Sequence, residues 1–125
     1  MLNLMISITA VHFRKNKILI MKIVRVIYTT TAKYAATNME NIRAVTNEVR
    51  KLNHPGIKYS TYLMADGKTF MHFDQFENEA AHQVLTDLPS FKKFAEELEA
   101  SGLESEPKLE LLSLVSSTEN FFDKV

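Results

Sequence analysis

The sequence predicts an α+β fold of order βαββαβ, with a four-stranded antiparallel sheet that carries its helices on one face. Three observations point to it. Ile57 to Met64 and Thr69 to Phe76 are two runs of β-branched and aromatic residues joined through Asp66-Gly67, whose tolerance of positive φ suits a two-residue type I′ hairpin turn. Amphipathic helical stretches flank this hairpin on both sides, and each is bounded outwardly by a further strand-like run. The strand runs also place large apolar groups on both faces, which one short chain cannot cover by itself.

Strand one is read over Lys22 to Thr30, with Val24, Val26 and Tyr28 on one face and Ile23, Arg25 and Ile27 on the other. Thr37 and Glu40 have the spacing of a capping box, so helix one is placed from Thr37. Its apolar stripe is Ile42, Val45, Val49 and Leu52, and Asn53-His54-Pro55-Gly56 stops it. The hairpin register pairs Ala65 with Lys68, Leu63 with Phe70, Thr61 with His72, Tyr59 with Asp74 and Ile57 with Phe76, all on one face. Asn78 caps a short helix from Glu79 to about Leu88, and Pro89 opens another that carries Phe91, Phe94, Ala95 and Leu98 up to Gly102. Glu104 to Pro107 reads as a linker, Leu109 to Val115 as the last strand, and Ser116 to Val125 as a tail in which Phe121 and Phe122 dock locally. With right-handed crossovers, this order is a ferredoxin-like sheet with one face bare. A second copy closing face to face over the bare side gives a homodimer.

The 125 residues suit one domain, expected over 21–116, with 1–20 as an N-terminal extension and 117–125 as the tail. Residues 1–20 are too short an apolar run, interrupted by Asn3, Ser7, Thr9 and His12, to span a bilayer. Their basic residues follow the apolar run instead of preceding it, unlike a secretory signal. Fifteen basic and fifteen acidic side chains cancel, so no global field attracts nucleic acid. The absence of cysteine excludes disulfides, thiolate nucleophiles and iron-sulfur clusters, and fits a cytoplasmic location. His12, His54, His72 and His82 lie on separate elements without ligand spacing, so no metal is expected. His54 is read as a solvated helix end and His82 as a surface position.

The polar residues of chemical interest are those that register gathers on one sheet face: His72, Asp74, Tyr59 and Thr61, among Phe70 and Phe76. If that face meets the helices it lines an apolar cavity with a few convergent polar groups, the usual make-up of a ligand site. A neutral histidine there can take a proton from an acidic phenol, and a carboxylate can orient a tyrosine hydroxyl. Arg25 is the candidate to stand beside His72 and bind an anionic substituent. The competing reading is a hydrogen-bonded core histidine and an arginine paired with a carboxylate.

From Met21 to about Val115 the chain resembles the dimeric α/β-barrel superfamily, and within it the antibiotic biosynthesis monooxygenase-like proteins. The resemblance rests on Pro55-Gly56 leading into the strand with Tyr59, on the hairpin, on Phe73-Asp74-Gln75-Phe76-Glu77-Asn78-Glu79-Ala80-Ala81, and on Leu88-Pro89-Ser90-Phe91 before another helix. It implies a dimeric α/β barrel with oxygenase activity on a small aromatic or quinol compound, needing no cofactor, and the register-gathered His72, Asp74 and Tyr59 are then the expected catalytic residues. Arg25, Thr61, Phe70, Phe76 and Leu85 would bind the ligand. Leu85 stands where many members have a histidine and the haem degraders a tryptophan. Ala95 stands where the haem degraders have a second histidine, and the chain has no tryptophan, so haem ligation by the usual residues is not supported. A homodimer that binds a small molecule or partner without chemistry is the alternative.

Overall fold

In the computed structural model, which describes residues 21–123, four strands form one antiparallel sheet in the order β2-β3-β1-β4. The elements are β1 (Lys22–Thr29), α1 (Ala35–Leu52), β2 (Ile57–Leu63), β3 (Thr69–Phe76), α2 (Glu79–Thr86), α3 (Pro89–Ala100) and β4 (Ser105–Leu112). The ferredoxin-like order follows, with β3 inserted between β1 and β2. The expectation for an N-terminal extension falls on residues 1–20, outside the described residues.

One sheet face meets the helices and forms the core. Val24, Val26 and Tyr28 of β1 and Phe70 and Phe76 of β3 pack there with Ala35, Ile42 and Val45 of α1, Ala81 and Leu85 of α2, and Phe91, Phe94, Ala95 and Leu98 of α3. Burying a side chain of this size stabilises the fold by roughly 1.5–3 kcal/mol, so this layer dominates the energetics. Two polar contacts tie α1 to α3: Asn41 donates from Nδ2 to Glu97 Oε1 at 2.8 Å, and the Ser90 amide, an orphan donor of the first turn of α3, donates to Glu48 Oε1 at 3.2 Å. At the start of α2 the Ala81 amide donates to Asn78 Oδ1 at 2.9 Å, the cap that the sequence predicts.

The hairpin register is the predicted one, but the turn is not. Gly67 has φ +76°, whereas Asp66 is absent from the positive-φ residues, so a type I′ turn is ruled out. Instead the Gly67 amide donates to the Met64 carbonyl at 3.0 Å, closing a turn through Ala65 and Asp66, and Ala65–Lys68 is not a ladder pair. The Asp66 carboxylate holds the loop by accepting from the Lys68 and Thr69 amides and the Thr69 hydroxyl. An aspartate that can satisfy three donors favours this four-residue loop over a glycine-like conformation at its own backbone.

Three other features differ from expectation. Helix α1 starts at Ala35, two residues before Thr37, with Tyr34 as a cap that makes no side-chain bond, so the Thr37–Glu40 box is interior to the helix. It ends at Asn53 in the left-handed conformation, φ +51°, as a helix-terminating asparagine can. Strand β4 runs over Ser105–Leu112 and takes in the expected linker, because it is an edge strand and a register shift opposite Ile27–Thr29 accommodates Pro107. His82 is buried and stacks on Phe76 with ring centroids 4.3 Å apart, correcting its reading as a surface position.

The helix-free face carries Ile27, Met71, Phe73 and Tyr62 by strand alternation. Tyr62 and Leu112 are exposed. Lys58 of β2 sets its ammonium 5.9 Å and 5.6 Å from the Phe121 and Phe122 rings, so the C-terminal segment leaving the β4 edge reaches the opposite edge of the sheet. Among the described residues no helix is long and apolar enough to cross a membrane.

Candidate functional site

Strand register assembles a polar row inside the apolar layer. Thr61, His72 and Val26 lie in one line across β2, β3 and β1, and Tyr59, Asp74 and Val24 lie in the next. His72 and Asp74 are buried, and Tyr59 is packed against the core. The row is bounded by aromatic rings: Tyr28 at 5.4 Å, Phe94 at 5.3 Å and Tyr59 at 6.1 Å from the His72 ring, centroid to centroid.

Two residues that the sequence reading did not assign to the site join it. The Tyr28 hydroxyl lies 2.8 Å from His72 Nε2, and Asn38 of α1, fully buried, donates from Nδ2 to that hydroxyl oxygen at 2.9 Å. His72 Nδ1 lies 3.2 Å from Thr61 Oγ1, so each ring nitrogen has a hydroxyl partner, and the ring tautomer sets the direction of both bonds. The chain Asn38, Tyr28, His72, Thr61 holds the imidazole in one orientation.

Burial depresses the His72 imidazole to about 3, so it stays neutral at ordinary pH. The same cause acts in the opposite direction on acids. Burial raises the Asp74 carboxyl well above the usual carboxylate range, with the Ser60 backbone amide opposing in part. The Tyr59 and Tyr28 phenols are raised by burial first, and the Asp74 charge lifts both further. His82, outside the row, is also held at about 3, by burial and then by Lys22.

Three of these groups lack a partner for a buried polar atom: Asp74 Oδ1, Tyr59 OH and Asn38 Oδ1. An unpaired buried polar atom costs about 1–3 kcal/mol, and native interiors leave few of them. Tyr59 and Asp74 are a cross-strand pair, and Asn38 is linked to the row through Tyr28 and His72, so the three atoms belong to one polar cluster.

Of the residues expected at the site, His72, Asp74, Tyr59, Thr61, Phe70, Phe76 and Leu85 lie in or against the helix-facing layer. Arg25 does not join them. It projects from the opposite face, where its guanidinium bonds Glu110 Oε1 at 2.8 Å, because neighbouring residues of a strand point to opposite sides and Val24 and Val26 take the core side. Tyr28 was legible as a core-side residue, but its contact with His72 depends on the register of β1 against β3. Asn38 lies on the buried stripe of α1 one turn before Ile42, so carrying that stripe back by 3.6 residues finds it. Among the described residues no group of three or more histidine or acidic side chains gathers to hold a metal ion.

No family model and no curated protein matches the chain. Solved structures do. The Rv0793 protein of Mycobacterium tuberculosis superposes with a TM-score of 0.67 at 14% identity, over 79% of this chain and 99% of that one. A protein named as an antibiotic biosynthesis monooxygenase superposes with a TM-score of 0.63 at 12% identity, over 78% of this chain and 100% of that one. The chain has the fold of the antibiotic biosynthesis monooxygenase-like proteins. PA3566 of Pseudomonas aeruginosa is a further likeness, with a TM-score of 0.63 at 18% identity over 81% of this chain and 99% of that one. At such identities the likeness is one of backbone, and the polar row of this monooxygenase-type fold has to be read from its own residues.

The titrations give a signed test. A depressed histidine binds fewer protons folded than unfolded, so His72 and His82 contribute stability that is present above about pH 6.5 and lost as pH falls toward about 3. A raised carboxyl does the reverse: Asp74 contributes stability present below about pH 4, lost as pH climbs to its folded value. Asp74→Asn should therefore be more stable than wild type at pH 8, with the gain vanishing near about pH 4. Urea unfolding across this range reads it, and a variant less stable at pH 8 would contradict a carboxyl raised by burial.

Proposed function

We propose that this protein is a monooxygenase-like enzyme that oxidises a small aromatic or quinol compound held between the sheet and the helices. The observation that supports it is the set of three partnerless buried atoms, Asp74 Oδ1, Tyr59 OH and Asn38 Oδ1, inside a layer otherwise closed by aromatic rings. The fold shared with a protein named as an antibiotic biosynthesis monooxygenase agrees with this reading.

In this proposal Asp74, once ionised, is the proton acceptor. Burial makes it a weaker acid, hence a stronger base once ionised, which brings it toward an activated phenol or an anthrone-type carbon acid, where general-base catalysis is efficient. His72 is a positioning residue: with Nε2 bonded to the Tyr28 hydroxyl and Nδ1 to the Thr61 hydroxyl, it orients the row, and its depressed basicity suits it poorly to take a proton. Tyr59 donates to the oxygen that gains negative charge. The resulting carbanion gives its electrons to dioxygen and forms a carbon hydroperoxide. Loss of water leaves a carbonyl, so one oxygen atom enters the product, the other leaves as water, and the substrate supplies all the electrons.

A non-catalytic reading has its own observation. Phe70, Phe76, Phe91 and Phe94 are all buried in one cluster and fill much of the layer, as in a domain whose interior only binds or only packs. Anthrone decides between them. Oxygen uptake with one anthraquinone and one water formed per dioxygen is expected in wild type, with a loss of about 100-fold or more in Asp74→Asn. Uptake unchanged by Asp74→Asn would remove the residue from the chemistry, and saturable binding with no uptake would favour the non-catalytic reading.

We further propose that two copies pair through the helix-free sheet face. Ile27, Met71, Phe73 and Tyr62 give that face an apolar centre that α1, α2 and α3, packed on the opposite side, do not cover. Sedimentation equilibrium should give twice the chain mass for wild type and the single mass for Phe73→Glu. A monomeric wild type would overturn the pairing.

A further inference from the structure

We propose that Asn38 is a specificity-determining residue of the interior site and selects neutral aromatic compounds bearing a hydroxyl by accepting that hydroxyl's hydrogen bond at Oδ1. The inference rests on the reading of the polar row as a small-molecule site, and it adds the class of compound and the residue that recognises it.

The argument starts from donors and acceptors. Asn38 is fully buried, its Nδ2 is committed to the Tyr28 oxygen, and its Oδ1 has no partner. A carbonyl oxygen can only accept, so whatever satisfies it must bring an O–H or N–H. The Tyr28 hydroxyl cannot turn back to supply one without giving up His72 Nε2 at 2.8 Å. Tyr59, the nearby phenol with no partner of its own, can donate to a ligand oxygen, so a single hydroxyl on a ring can donate to Asn38 and accept from Tyr59.

Charge narrows the class further. Arg25 is spent on Glu110 across the sheet, and Lys22 holds both oxygens of Glu79 at 3.1 Å. Burial keeps the His72 imidazole neutral and opposes ionisation of the Asp74 carboxyl, so the row offers no positive charge. A carboxylate or phosphate on the ligand would enter a low-dielectric layer where no cation among the described residues meets it, which is strongly unfavourable. The residue types of the row therefore suit an uncharged phenol or quinol. A quinone or an aryl ether, which only accepts, leaves Asn38 Oδ1 unpaired. Discrimination against a missing donor is large in sites built this way, because the loss strands a buried group.

The test uses 1-naphthol and 1-methoxynaphthalene, which share a ring system and an ether-type oxygen and differ in the donor. Fluorescence titration of the full chain at pH 7 should show naphthol bound more tightly by about tenfold or more. In Asn38→Leu the ratio should fall to near one through weaker naphthol binding, with the ether's affinity kept. A ratio unchanged in the variant overturns the role of Asn38 while leaving the interior site standing. Failure of both compounds to bind wild type overturns the interior site and this inference with it. Should Asn38→Leu not fold, the wild-type side-chain amide resonances of Asn38 carry the test: they should shift with naphthol and stay in place with the ether. Equal shifts with both would overturn the assignment.

Discussion

The register of β2 against β3 is the constraint on which the rest of this structure depends. A displacement of β2 by one residue would turn Tyr59 and Thr61 to the other side of the sheet, away from His72 and Asp74, and bring Ser60 and Tyr62 against the helices. What sets it is local: the Asp66 carboxylate gathers the Lys68 and Thr69 amides and the Thr69 hydroxyl, and Gly67 supplies the positive φ that ends the turn. A solvent-exposed loop thereby decides which polar groups are taken out of water some four residue pairs away.

Those groups would not be tolerated in the core without compensation. The sheet and helices bury a continuous aromatic and aliphatic layer, and only the bonds from Asn38 to Tyr28, on to His72 and then to Thr61 make a histidine acceptable within it. The compensation is incomplete: one atom each on Asn38, Tyr59 and Asp74 is left over. A domain selected for stability alone would have apolar residues in these places, since a half-satisfied polar cluster is worse than none. That surplus hydrogen-bonding capacity is the observation on which the proposed ligand site rests. It also sets the acid-base character of the row, because the same loss of water that keeps His72 neutral makes Asp74 reluctant to ionise.

The fold was legible because its determinants are local. Two strand runs around Asp66-Gly67 gave the hairpin register, Asn78 gave the start of α2, and Pro89 the start of α3. The features that escaped notice are long-range or depend on context. The Tyr28–His72 contact needs the pairing of strands 40 residues apart in sequence, which no local pattern encodes. Arg25 was associated with His72 because β1 is apolar on both faces, and only packing against α1 and α3 shows which face is inward. Pro107 read as a linker residue because the edge position of β4, which tolerates a proline, is a property of the whole sheet. Asn38 sits on the stripe of Ile42 and Val45, but a polar side chain there gives no sign of burial until its bond to Tyr28 is seen.

The central claim is that the partnerless atoms of Asn38, Tyr59 and Asp74 face one place where a ligand's hydroxyl sits. The most direct measurement is a crystal structure of the protein soaked in 1-naphthol, at a resolution that shows ordered solvent. The account predicts electron density for a planar ring within the aromatic layer, its oxygen within hydrogen-bonding distance of Asn38 Oδ1 and Tyr59 OH. A dry, fully packed layer in which the three atoms have turned to pair with one another would contradict it.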